Sequence, residues 1–158
     1  MGLDARPVNL RCSALVLRED TVLLCQRIND WVLPGGTPRV GESVAACVRR
    51  EVREETGLDV NPVSVAFVLD ATNPKVDDHL IEVVMLAQEE GEPGAAPQTV
   101  EDGLLPRFIA LDHLPRVDML PPIGGYIRAF HGNGRMMRTA AYLGNVWRPR
   151  SATARRNS

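Results

Sequence analysis

The chain has 158 residues, 44% hydrophobic and 24% charged, with 18 basic against 20 acidic residues and a formal net charge of −2. That length and composition fit one globular domain with its own core. The near-neutral balance excludes an electrostatic case for nucleic-acid or membrane-surface binding, and no apolar stretch is long enough to span a membrane.

Residues 1–9 read as a loose arm without a signal-like apolar core. Leu10 to Leu17 and Thr21 to Gln26 are β-prone apolar runs around Arg18-Glu19-Asp20, which predicts a hairpin. Arg27 follows the second strand. Asn29 to Val40 is a loop in which Gly35 and Gly36 permit close backbone approach. Ser43 to Thr56 lacks Pro and Gly and is rich in Ala, Arg and Glu, so it predicts a helix. Ser43 is its N-cap and Gly57 its left-handed stop, with Leu58 as the hydrophobic contact beyond.

Val44, Ala45, Val48 and Val52 form one apolar stripe on this helix. Glu51, Glu54 and Glu55 lie beside it within an arc of roughly 100°, while Arg49 and Arg53 point away. Glu51 and Glu55 border the stripe and are expected to be partly buried. Clustered, half-buried carboxylates repel one another and lose solvation. A divalent cation relieves both penalties, and an all-oxygen site suits Mg²⁺ or Mn²⁺. The competing reading is a solvated helix with Arg50 and Glu54 paired at i,i+4.

Beyond the helix, Val63, Val65, Phe67 and Leu69 alternate as in a strand. Asp70 to Asp78 is polar and contains Asn73-Pro74, so a loop is expected. His79 to Gln88 is nearly continuously apolar and reads as a central strand. Glu82 within it either faces the site as a ligand or base, or faces solvent. His79 is either a phosphate contact or structural. Glu89 to Asp102 reads as a flexible loop, Arg107 to Leu111 as a short strand, and Pro121 to His131 as a helix stopped by Gly132-Asn133-Gly134. Residues 142–147 are expected to pack against the domain, giving a domain over 10–147 and a disordered basic tail over 148–158. Cys12, Cys25 and Cys47 are odd in number without metal-site spacing, so free buried thiols and a cytoplasmic protein are expected.

The stretch Gly36, five residues, Glu42, seven residues, then Arg50-Glu51-Val52-Arg53-Glu54-Glu55-Thr56-Gly57-Leu58 resembles the box of the Nudix hydrolases at every fixed position. Trp31-Val32-Leu33-Pro34-Gly35-Gly36 resembles the family's entry into that box. The resemblance implies an α/β fold, an α/β/α sandwich around a mixed sheet. It also implies metal-dependent cleavage of a nucleoside diphosphate linked to another moiety, a small-molecule nucleotide as partner, and the possibility of a homodimer. Glu51, Glu54 and Glu55, with the Gly35 carbonyl, would hold the metal, and Glu51 or Glu54 would take the water proton. Glu42 and Arg50 would brace the loop, and Gly57 would end the helix. Arg27, Gly35 and Gly36 would lie near the substrate. Trp31 either stacks on a base or packs in the core.

One departure stands out. Many relatives carry a glutamate three residues before an aromatic, here Phe108, but Leu105 occupies that place. Glu101 or Asp102 in the preceding loop, or Glu82, are the substitutes. Pro74, sixteen residues after Leu58, resembles the marker of ADP-ribose hydrolases, so ADP-ribose or a nucleotide-sugar is expected first. Nucleoside triphosphates, releasing pyrophosphate, come second. A nucleotide-binding sensor with little turnover is the alternative of another class, and three mutually repelling glutamates argue against it.

Overall fold

The computed structural model describes residues 6–75, 78–133 and 140–149. Strands β1 (Asn9–Leu15), β2 (Leu17–Arg18), β3 (Thr21–Gln26), β4 (Trp31–Val32) and β5 (Gly35–Gly36) precede helix α1 (Val44–Thr56). The long strands β6 (Asp59–Asn73) and β7 (Asp78–Glu90) follow, then β8 (Leu105–Ala110), a 3-10 turn (Leu111–Arg116), helix α2 (Gly124–Gly132) and β9 (Ala141–Asn145). One sheet runs β5-β1-β7-β6-β9, and a second is built on β3, which pairs with β2, β4 and β8. The first is mixed: β1 is parallel to β7, β7 antiparallel to β6, and β9 parallel to β6. The near-continuous apolar run of β7 does occupy a central position.

Helix α1 covers one face of the first sheet, where Val48, Val52 and Cys47 meet Cys12, Ala14 and Val16. Helix α2 covers the other, where Ile127 and Phe130 meet Leu15, Phe67, Leu69 and Val84. Phe130 sits edge-on to Phe67 at 5.6 Å between ring centroids, an arrangement favoured by the ring quadrupoles. The result is the expected helix–sheet–helix layering.

Local signals placed α1 correctly. Ser43 Oγ accepts the Ala46 N–H at 3.1 Å, and Gly57, at φ 73°, donates its N–H to the Arg53 carbonyl at 3.0 Å. The hairpin expected from Leu10 to Gln26 is corrected. The run divides at Val16: β1 joins β7 in the first sheet, and only Leu17–Arg18 turns back onto β3. Both faces of β1 are buried, so its sequence carries no alternation to show which partner it takes.

The polar stretch from Asp70 does not leave the sheet; β6 continues to Asn73 because the Asp70 carboxylate is satisfied by His79 and Tyr142. Irregularities between Pro62 and Ser64 and between Val65 and Phe67 break the strict alternation, leaving Val63 exposed and Phe67 buried. Helix α2 begins at Gly124 rather than Pro121, since the prolines at 121 and 122 have no N–H to donate and occupy the turn before it. Strand β9 went unforeseen, although Val146 behind it is buried as expected and donates to the Asp70 carbonyl at 2.9 Å. The supposed arm ends at β1, which already includes Asn9, and the basic tail from residue 150 lies outside the described residues.

Cys12, Cys25 and Cys47 are buried and unbridged, and burial pushes the thiols of Cys25 and Cys47 up to about 12, so neither is a ready nucleophile. Among the described residues no helix is long and apolar enough to cross a membrane.

Candidate functional site

The site begins at the Gly35–Gly36 turn. These two residues pair with Ser13 and Cys12 of β1, so backbone lies against backbone. A Cβ on Gly35 would fall 2.6 Å from the Ser13 Cα, which cannot move without breaking the ladder. A Cβ on Gly36 would fall 2.6 Å from the Glu51 Cδ, a side chain that can turn away. The two positions therefore separate fold from function. Gly35→Ala is expected to lose about 3 kcal/mol by overpacking. Gly36→Ala should keep most of the stability but lower turnover, because it displaces Glu51. Thermal unfolding beside a rate assay checks both, and equal melting temperatures for the two variants would contradict this account.

The turn is tied to α1 by Glu55, whose Oε2 accepts the Gly35 N–H at 2.9 Å. Glu55 is only 7% exposed. Burial pushes its carboxyl up to about 7; the Gly35 N–H and the charge of Arg11 offset part of that, while Glu51 and Glu101 add to it. Glu51 is largely buried and rests against Gly36, and Glu54 is half-exposed. Arg50 gathers the rest. Its Nε and Nη2 hold both Glu42 oxygens at 2.7 and 2.9 Å, and its Nη1 reaches Glu51 at 2.8 Å and Glu54 at 3.2 Å. Nη2 also donates to the Thr37 carbonyl at 3.3 Å. Bonding to Arg50 holds the Glu42 carboxyl down at about 2. Arg53 pairs with Asp59, and Arg49 bonds Asn61, so both point away from the cluster as expected.

The loop before β8 is anchored. Gln98 donates to the Thr56 carbonyl at 2.8 Å, and Arg18, stacked 3.9 Å over Phe108, reaches the Ala95 carbonyl at 2.8 Å. This brings Glu101 close enough for its charge to act on Glu55. Leu105, where many relatives would have a glutamate, merely starts β8 opposite Gln26.

Other expected residues lie elsewhere. Arg27 is held by Asp30 through bonds of 2.5 and 2.9 Å. Trp31 packs against the core on the α2 side and pairs with Met119. His79 bonds Asp70 at 2.7 Å rather than any carboxylate of the α1 cluster. Pro74 is exposed in the turn after β6. Glu82 does not face solvent. It is 1% exposed and pairs with Arg11 at 2.8 Å. Sequence reasoning passed over Arg11; its one signal was a basic residue inside an apolar strand.

Among the described residues no three acidic, His or Cys side chains are already gathered around a point where an ion would sit. The reason is visible: Arg50 holds Glu51 and Glu54, and the Gly35 N–H holds Glu55. The donor chemistry nevertheless fits a hard divalent cation. Every candidate donor is an oxygen, and Glu55 is a buried carboxyl whose ionisation a cation would restore.

The sequence pattern of the NUDIX domain matches residues 9–130. An ADP-ribose pyrophosphatase of Methanocaldococcus jannaschii is 28% identical over 108 residues, covering 65% of this chain and 62% of the relative. The crystal structure of an ADP-ribose pyrophosphatase from Streptococcus suis superposes with a TM-score of 0.62 at 26% identity, over 88% of this chain and 100% of that one. A MutT NUDIX hydrolase from Burkholderia pseudomallei gives 0.60 at 28% identity, over 68% and 86%. The chain spans 42% and 62% of the lengths of two curated relatives, from Bacillus subtilis and M. jannaschii.

Proposed function

The chain belongs to the Nudix family, and from that premise we propose that it hydrolyses a pyrophosphate bond in a nucleoside diphosphate linked to another moiety, with ADP-ribose or a nucleotide-sugar as the first candidate. One observation carries the reading: Glu51 and Glu55 are both held against the Gly35–Gly36 turn, with Glu54 one turn beyond Arg50. Nudix hydrolases generally use divalent metals. Mg²⁺ or Mn²⁺ would be held here by Glu51, Glu54 and Glu55 with the Gly35 carbonyl, and Glu101 is the further candidate from the loop before β8. When bound, the ion neutralises phosphoryl charge and acidifies water.

The chain's own residues do the rest. Arg50 bonds the carboxylates of Glu51 and Glu54 and so orients both side chains. A water oxygen bonds to one phosphorus as the bridging P–O bond breaks, and its proton passes to Glu51 or Glu54. Glu54 is the more exposed of the two. In-line positioning and charge neutralisation are the main demands of such a transition state. The buried free thiols suit a reducing compartment, and we place the protein in the cytoplasm.

ADP-ribose leads because two of the similar proteins are named as ADP-ribose pyrophosphatases. Nucleoside triphosphates, releasing pyrophosphate, are the second reading. Purified protein with Mg²⁺ or Mn²⁺ is expected to convert ADP-ribose to AMP and ribose 5-phosphate, and chelation should stop the reaction. Triphosphate cleavage alone would replace the substrate assignment. Binding without metal-dependent turnover of any nucleotide would replace the enzyme by a sensor.

A further inference from the structure

Two of the arginines that could meet a substrate are already committed, and a third, Arg39, is 69% exposed with its Nη2 4.0 Å from Glu54. Arg50 is spread over Glu42, Glu51, Glu54 and the Thr37 carbonyl. Arg27 is locked in a two-pronged pair with Asp30. Arg11 differs. Its Nε holds Glu82 at 2.8 Å and its Nη2 donates to the Leu33 carbonyl at 2.6 Å, while its Nη1 has no partner among the described residues. The side chain is 23% exposed, and its charge pulls on both Glu55 and Cys25. Its bond to the Leu33 carbonyl, two residues before Gly35, sets it at the edge of the Gly35–Gly36 turn with donor capacity to spare.

What lies behind Arg11 is poor design for stability alone. Glu82 is fully buried in the central strand opposite Leu69, and its Oε2 finds no hydrogen-bond partner. Ser13 Oγ, on the same face two residues along β1, is equally buried and equally unmatched. A buried ion pair with an unsatisfied oxygen is usually no more stable than apolar residues of similar volume. It does, however, fix a guanidinium in one orientation, and a fixed guanidinium fork suits phosphoryl oxygens.

Resting on the hydrolase reading above, we propose that Arg11 binds phosphoryl oxygens of the substrate beside Glu55, and that buried Glu82 is its positioning residue. Arg11 then supplies the positive charge that an anionic substrate needs among four glutamates, a role the sequence had assigned to Arg27.

The test compares wild type, Arg11→Lys, Glu82→Gln and the double variant Arg11→Met, Glu82→Leu, with ADP-ribose and Mn²⁺. The double variant removes the pair without stranding a buried charge, so its melting temperature should hold or rise. Its KM should rise by about 10- to 100-fold, the range for losing a charge-assisted bond, with kcat within about threefold, the signature of lost ground-state binding. Arg11→Lys should fall between, and Glu82→Gln should raise KM less than the double variant. An unchanged KM in the double variant, or a fall in kcat alone, overturns the assignment. If wild type leaves ADP-ribose uncleaved, the hydrolase reading has failed at this substrate and calorimetric binding of ADP-ribose decides Arg11. Tenfold weaker binding by the double variant supports it; equal binding, or none by wild type, overturns it.

Discussion

Glu55→Gln is expected to lower kcat by about 10³-fold, in the range for losing a charged group at the reacting centre, while leaving the metal-free protein at least as stable as wild type. The amide still accepts the Gly35 N–H, so the turn stays tied to α1. What the substitution removes is a buried charge. The Glu55 carboxyl is pushed from 4.5 to about 7 by desolvation, so between those values the folded state binds more protons than the unfolded one. Wild-type stability must then fall as pH rises from about 4.5 to 7, by up to about 3 kcal/mol. The Gln variant lacks that slope. Denaturant unfolding in chelator at pH 5.5 and pH 8 would show it, and identical pH dependence in the two proteins would sink the claim. Added Mn²⁺ should stabilise wild type at pH 8 far more than the variant, since binding to the folded state alone adds stability.

Arg50→Ala is expected to damage fold and turnover together. The guanidinium is 18% exposed and serves three carboxylates and one carbonyl. Its loss leaves Glu51, 14% exposed, without its partner and Glu42, also 14% exposed, with only the Arg39 N–H at 3.0 Å. A stability loss of about 2–3 kcal/mol is in line with breaking a partly buried charge network. Turnover should fall by about 10²-fold or more, because Glu51 and Glu54 lose the group that orients them. Arg50→Lys keeps the charge but not the fork, and should recover part of the stability and little of the rate.

The acid side supplies a second readout. Bonding to Arg50 depresses the Glu42 carboxyl to about 2, so its contribution is full above about 4.5 and disappears as pH falls toward 2. The Ala variant should show a smaller loss, since the Arg39 N–H still holds Glu42. A stable Arg50→Ala protein with normal kcat and KM would remove Arg50 from both roles.

Much of the site was legible from residue order because it is local. The Ser43 cap, the Gly57 stop and the common face of Glu51, Glu54 and Glu55 follow from helix geometry over a few residues. The bonding of Arg50 to Glu54 follows from the same spacing. Partial burial of Glu51 and Glu55 was readable too, from their place beside Val48 and Val52, but both are buried more deeply than that, Glu55 to 7% exposed. Glu82 was noticed as an acidic residue in an apolar run, but neither expected orientation, toward the site or toward solvent, is the one it takes.

The rest depended on pairings between distant residues. Arg11 meets Glu82 only because β1 lies parallel to β7 in the register that sets those two side by side. The charge of Glu101 acts on Glu55 across a sequence gap that Gln98 helps to close by anchoring its loop to the end of α1. Arg27 is withdrawn by Asp30 across a tight turn. By itself the sequence determined the helix, its caps and the carboxylates that one helical face presents, since backbone geometry sets those over single turns. Only the tertiary structure decided which strand β1 joins, which arginine remains available and which loop carboxylate approaches, because register and burial are properties of the assembled sheet and not of any short stretch of chain.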